Sequence, residues 1–207
     1  MSDGRLPSDR VPPSAPRSGS YGRITTGASA RSPGRPVPSD HTPTPEAMRA
    51  ARRRWPSGVT VVTTIEQDND SVRYRGATVS AFTVVSLEPP LVLICLEREA
   101  TIARTVAAAG IFAVSILDRA QEFQADRFAG LAPLPDAKFA SLPHDLGATG
   151  CPLLRGSLAT FDCRVSAIHD GGDHIIVVGE VVAVSLGPDT DDPLLTYEGA
   201  YRRLEGA

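Results

Sequence analysis

Four short apolar runs constrain this chain more than any other feature: "GVTVVTTI" at 58–65, "PPLVLICLE" at 89–97, "IFAVSIL" at 111–117 and "HIIVVGEVVAV" at 174–184. Each is rich in β-branched residues and bounded by Gly, Pro or polar positions, the pattern of a strand. "YRGATVSAFTVVS" at 74–86 adds alternation after Gly76, and 157–168 reads as a further strand. "PPLVLICLE" is continuous enough to expect burial on both faces. Only short helical patterns lie between the runs, and no βαβ rhythm repeats. Five or six strands with two or three short helices imply a mainly β domain. The expected form is a closed or nearly closed antiparallel barrel with helices plugging its ends.

The helical stretches carry their own punctuation. Thr44 is a plausible N-cap with Pro45 at the first helical position. Met48, Ala51 and Trp55 then share a stripe, and Pro56 stops the helix. Thr101 stands near the start of a second helix that Gly110 ends. Asp118 with Gln121 three positions on predicts a capping box for a third, ended by Gly130. Residues 131–150 read as a long loop.

The chain is 207 residues long, and its 18 prolines are unevenly spread: half precede Glu46. Residues 1–45 carry six arginines against three aspartates and few bulky apolar side chains, so a disordered Pro/Ser/Arg-rich tail is expected there. That leaves 46–207 as one globular domain with a net charge near −6. No basic stripe with interleaved aromatics points to nucleic acid, and "ARRR" at 51–54 reads as a solvated helix face. The tail lacks the apolar core of a secretory signal, and "LVLICL" is too short to cross a bilayer. Cys95, Cys151 and Cys163 form no CxxC, so they read as reduced, small apolar residues of a cytoplasmic protein. No His/Cys spacing suggests a metal site. Neither GxGxxG nor a Walker loop occurs, so a bound nucleotide would not lie in a Rossmann crevice.

Three places hold residues that could carry chemistry. Alternation puts the hydroxyls of Thr78 and Ser80 on one strand face, about 6 to 7 Å apart, where they suit a phosphate or a polar sugar chain. On spacing alone, an ordinary half-exposed strand is the simpler reading. "REAT" at 98–101 brings Arg98 to a helix start, an arrangement that attracts anions, though Glu97 and Glu99 flank it. In "DGGDH", His174 stands at the mouth of a strand. Glu180 shares its face near 20 Å away, and alternation places Asp173 on the opposite face, so neither is expected to orient the imidazole. By itself a turn histidine is more often structural.

Together these stretches resemble the flavin reductase family that serves two-component flavin-dependent monooxygenases. The likeness runs from about Met48 to Arg202 through "WPSGVTVVTT", "GATVSAFTVVSLEPPLVLICL", "GIFAVSIL", "DRFAG" with "KFA", and "CRVSAIHDGGDHIIVVGEV". It implies an FMN-binding split β-barrel, Greek-key-like, with flavin at a homodimer interface. It further implies hydride transfer from NADH or NADPH to FMN or FAD, and reduced flavin diffusing to a separate monooxygenase. By the same resemblance Thr78, Ser80 and the Ala81 backbone hold the ribityl-phosphate chain and flavin edge. Arg98 and Thr101 lie at the phosphate, His174 beside the flavin and nicotinamide rings, and Tyr201 and Arg202 close the site. Glu99 departs from the pattern, standing where many members carry serine. That departure keeps open a flavin-binding carrier without efficient turnover, and a barrel that has lost flavin and serves as a scaffold is a third reading.

Overall fold

A computed structural model describes residues 43–68, 71–131, 139, 142–187 and 192–204. The tail expected at 1–45 lies outside the described residues except for its last three, which open the first helix. Thr44 caps that helix, α1 (Pro45–Arg53), by accepting a hydrogen bond from the Ala47 N–H at 3.2 Å. Twelve strands follow among the described residues: β1 (Ser57–Gly58), β2 (Thr60–Asp68), β3 (Ser71–Val79), β4 (Phe82–Leu87), β5 (Pro90–Glu97), β6 (Ile111–Ile116), β7 (His144–Leu146), β8 (Pro152–Leu154), β9 (Ala159–Gly171), β10 (His174–Leu186), β11 (Leu195–Tyr197) and β12 (Ala200–Arg202). Helix α2 (Thr101–Ala109) separates β5 from β6, and α3 (Glu122–Ala129) follows β6. The capping box of Asp118 and Gln121 is present, but it opens a 3-10 turn at Arg119–Gln121 that leads into α3.

Seven strands form one antiparallel sheet in the order β3-β2-β6-β9-β10-β5-β4. Its two outermost strands, β3 and β4, are consecutive in the chain and joined only by Ser80 and Ala81. From Val79 to Phe82 the backbone spans at most about 11 Å. The two edges therefore come close at their joined ends without pairing, which makes the sheet a barrel with a split. Inside it pack Val62, Val92, Ile94, Phe112, Val114 and Val177, none more than 1 % exposed. Helix α2 buries Ile102, Ala103, Thr105 and Val106 and lies against β2.

A second apolar cluster lies outside the first, where Val59, Val61, Leu117, Phe128 and Leu194 meet. It is covered by α3 and by the short sheet β1-β11-β12, which the sequence reading missed. Strands of two or three residues leave no periodicity to read. The remaining two-stranded sheet, β7-β8, likewise falls partly in the stretch read as loop.

One expectation is corrected by the burial pattern. In β5 Val92, Ile94 and Leu96 are buried, whereas Leu91, Leu93 and Cys95 are only half-buried. The strand is not enclosed on both faces, and its outward row bears on function.

Candidate functional site

The barrel split sets out backbone groups that a closed sheet would consume. Among the described residues the N–H groups of Ser80 and Ala81 donate no hydrogen bond, whereas the Ala81 carbonyl accepts from the Cys95 N–H at 3.0 Å. Both residues are exposed. Cys95 is opposite Ile176 on β10, two positions from His174. Two strand spacings and a two-residue step thus separate Ala81 from His174 by roughly 12 Å. On the face opposite the barrel core Cys95 and Ile176 lie between them, and Leu93, opposite Val178, continues the same half-buried strip away from His174. Burial pushes the Cys95 thiol above its usual range, so it stays protonated and contributes surface rather than a nucleophile.

At the far end of the strip the β9–β10 turn is tied down by Arg98. Its Nε donates to the Gly172 carbonyl at 3.0 Å, and its Nη2 to Asp170 Oδ1 at 2.8 Å, the Gly172 carbonyl at 3.0 Å and the His174 carbonyl at 3.2 Å. The Arg98 N–H also donates to the Asp173 carbonyl at 3.0 Å. Asp170 caps the Gly172 N–H at 2.7 Å, and that bond, with the nearby Arg98 charge, holds its carboxyl below the usual range. Gly172 has φ of 81°, a left-handed conformation that a side chain would resist. Arg98 thus holds the loop that presents His174, while its Nη1 makes no hydrogen bond among the described residues and can still meet an anion. Replacing Arg98 by alanine is expected to speed amide exchange at residues 172–174 roughly tenfold or more. Protection unchanged from wild type in a hydrogen-exchange measurement would contradict the clamp.

The expected face of Asp173 is corrected. Its Oδ1 lies 2.6 Å from His174 Nδ1, because Asp173 belongs to the turn and strand alternation begins only at His174. The carboxylate accepts from Nδ1–H, which leaves Nε2 as an acceptor whenever the ring is uncharged. The His174 hydrogen bond, and then its charge, hold the Asp173 carboxyl below the usual range.

The remaining candidates fall elsewhere. Strand β3 ends at Val79, so Thr78 and Ser80 do not continue one alternation. The Thr78 hydroxyl instead donates to the Ala125 carbonyl of α3 at 2.6 Å. Tyr201 anchors to the next residue of that helix, its hydroxyl donating to Asp126 Oδ1 at 2.8 Å. Burial, together with the Asp126 carboxylate, pushes the phenol well above its ordinary value. Arg202 is exposed and bonds the Tyr201 carbonyl at 3.1 Å. Thr101 lines a separate cleft of about 580 Å³ between α2 and β2, with Glu66, Arg104 and Thr105. Glu99 is exposed, with its carboxylate 4.0 Å from Arg104. The structure therefore brings together Ser80 with Ala81, Arg98 with His174, and Thr78 with Tyr201 through α3.

The sequence reading missed the wall beside the split. Ser80 and Ala81 line a cleft of about 470 Å³ with Arg52, Arg53, Trp55 and Glu198, and neither Arg98 nor His174 reaches it. The available signal was "ARRRW", where a tryptophan next to an arginine cluster is unusual for a purely solvated face. Among the described residues, no group of three His, Cys, Asp or Glu side chains could hold a metal ion. No described helix is long and apolar enough to cross a membrane.

Comparison with known proteins bears on the family and the fold. Residues 52–205 match the family model of the flavin reductase like domain. An NADH-dependent flavin reductase of Rhodococcus is 42% identical over 164 residues, covering 78% of this chain and 88% of that protein. The reductase component of a 4-hydroxyphenylacetate 3-monooxygenase from Thermus thermophilus is 38% identical, covering 77% and 96%. Among solved structures, the Streptomyces globisporus NADH:FAD oxidoreductase in complex with NAD and FAD fragments aligns with a TM-score of 0.70. It is 35% identical, covering 78% of this chain and 93% of that one. The split barrel, the motifs along it and these relatives together establish that the chain belongs to the flavin reductase family of oxidoreductases.

Proposed function

We propose that the protein is an NAD(P)H:flavin oxidoreductase whose reduced FMN or FAD serves a separate monooxygenase. The observation that carries this reading is the outward strip of Leu93, Cys95 and Ile176, with two free backbone donors at one edge and His174 at the other. A flat ring fits such a strip: apolar floor below, polar contacts at its rim. When bound, flavin supplies the redox chemistry, accepting hydride from the nicotinamide.

The chain's own residues then position and stabilise. The N–H groups of Ser80 and Ala81 would supply fixed dipoles to the edge of a ring bound there, the kind of donor that favours developing negative charge. Nε2 of His174, with its tautomer set by Asp173, orients the incoming ring by a hydrogen bond. Arg98 ties down the turn that carries the imidazole and offers Nη1 to a phosphate, whereas Thr101 at the head of α2 lines the separate cleft. Thr78 supports the split by bonding α3, and Tyr201 and Arg202 steady the same end of the domain.

The working form in this reading is a cytoplasmic homodimer. Val84, Val85 and Leu87 of β4 and Val182, Val184 and Leu186 of β10 are all exposed, an apolar surface that a second copy would cover.

The deciding assay crosses NADH and NADPH with FMN, FAD and riboflavin, using purified full-length protein. Catalytic loss of the nicotinamide absorbance is expected with at least one pair. No loss with any pair overturns the reading.

A further inference from the structure

Helix α1 contributes nothing buried to the fold: none of its residues is buried, and Trp55 just beyond it is 76% exposed. Leaving an indole in water forgoes a large apolar contribution, so what it faces matters. It faces the cleft of about 470 Å³ at the barrel split, whose walls include Ser80, Ala81, Arg52 and Arg53. The arginines around it are not equivalent. Arg49 pairs with Glu46 at 3.5 Å, and Arg54 pairs with Glu198 at 3.2 Å. Arg52 and Arg53, the two that line the cleft, have no carboxylate partner among the described residues. Glu198, the one acid on the wall, is already neutralised by Arg54.

This wall is held in place. The Glu198 N–H donates to the Arg53 carbonyl at 2.9 Å, pinning the end of α1 to the β11–β12 turn. That turn has positive φ at both central residues, 54° at Glu198 and 76° at Gly199, the form preferred in two-residue hairpins. Glycine suits 199 for that left-handed backbone, and the Arg53 side chain lies against the turn, its Cζ at ordinary contact distance, 3.9 Å, from where a β-carbon would stand. Two unneutralised guanidiniums beside an open indole therefore line a cleft of ligand size. Guanidinium forks match phosphate oxygens, and indole offers a face for a planar base.

We propose that this cleft takes an adenosine diphosphate group, with phosphates on Arg52 and Arg53 and the adenine against Trp55. Nicotinamide dinucleotides and FAD both carry that group, whereas FMN does not. The assignment rests on the flavin reductase reading, because it places the other half of the ligand on the strip that begins at Ala81. It also gives a purpose to the basic cluster in an otherwise acidic domain.

Trp55 is the single tryptophan of the chain, so fluorescence excited at the red edge, where the four tyrosines do not absorb, reports on this cleft alone. The experiment titrates ADP into full-length protein with no flavin or nicotinamide present. Saturable quenching is expected, tighter for ADP than for adenosine. The double variant Arg52→Ala/Arg53→Ala should weaken it roughly tenfold or more, with an unchanged circular dichroism spectrum. Two further arms separate the sources. If FAD uses the cleft, the double variant weakens binding of FAD more than of FMN. If the nicotinamide uses it, the KM for NADH rises with FMN as acceptor. Absence of quenching by millimolar ADP, or quenching undiminished in the double variant, overturns the proposal. Reduction of FMN in that case leaves the reductase reading standing. A protein that reduces no flavin fails that reading, while the ADP titration still decides the cleft.

Discussion

Replacing Gly179 by valine is expected to lower the melting temperature by roughly 6 to 12 °C. Gly179 is the second glycine of the "GDHIIVVGEV" stretch, five residues after His174. It is buried in β10 beside a register shift in the pairing with β9. A β-carbon there would stand 2.7 Å from Cε1 of Phe112 and closer still to Cζ, with Cys163 Cβ at 3.1 Å. Phe112 is 0% exposed and packed among the barrel core, so its ring has nowhere to move. Overpacking of this kind costs about 3 kcal/mol. In a domain of this size each kcal/mol is worth roughly 2 to 4 °C. The check is thermal unfolding followed by circular dichroism, and a shift below about 2 °C would contradict it. Introducing Phe112→Leu into Gly179→Ala should recover part of the loss, because the two positions share one volume. The motif's second glycine is then explained by packing, and its histidine by chemistry.

The second large effect is on turnover. His174→Ala is expected to reduce kcat/KM for the nicotinamide roughly ten- to hundredfold, a loss of about 1.4 to 2.7 kcal/mol of transition-state stabilisation. Folding should be spared, because His174 lies at the strand mouth and its side chain is 42% exposed. Asp173→Asn should give a smaller loss: the amide keeps a hydrogen-bond acceptor for Nδ1–H but gives up the charge. The pH dependence follows from the lowered Asp173 carboxyl. A carboxylate depressed in the folded state contributes above its unfolded value, near 4, and that contribution fades as pH falls through the folded value. The tautomer lock therefore persists through the range where ordinary aspartates titrate. Steady-state kinetics with NADH and NADPH, extended from pH 9 down to about 3.5, tests both statements. Wild-type turnover in His174→Ala would make the residue structural.

Much of the barrel was legible because its long strands carry their own signal. The β-branched runs at 60–65, 91–96, 111–116 and 174–184 all became strands, since burying one face of a pleated sheet demands that composition. Thr44, Gly110 and Gly130 marked helix ends correctly, because capping is a local matter of one side chain or one dihedral angle. Less was legible in the candidate site. Ser80 and Ala81 could be named, but their free N–H groups exist only because β3 and β4 fail to pair across the split. Asp173 was misplaced because a turn does not obey strand alternation. Trp55 and the paired and unpaired arginines of α1 could not be sorted, since Glu198 meets them from 144 positions away.

The chain by itself determined which segments are strands, where helices begin and end, and the motifs that resemble one family. Those properties rest on near neighbours, a side chain every second residue or a cap within a turn. Only the tertiary structure decided that the sheet stays open at two residues, that Arg98 grips the turn bearing His174, and that two arginines lack counter-charges beside a bare indole. Each of these depends on groups far apart in the chain, brought within hydrogen-bonding reach by burial of the common core.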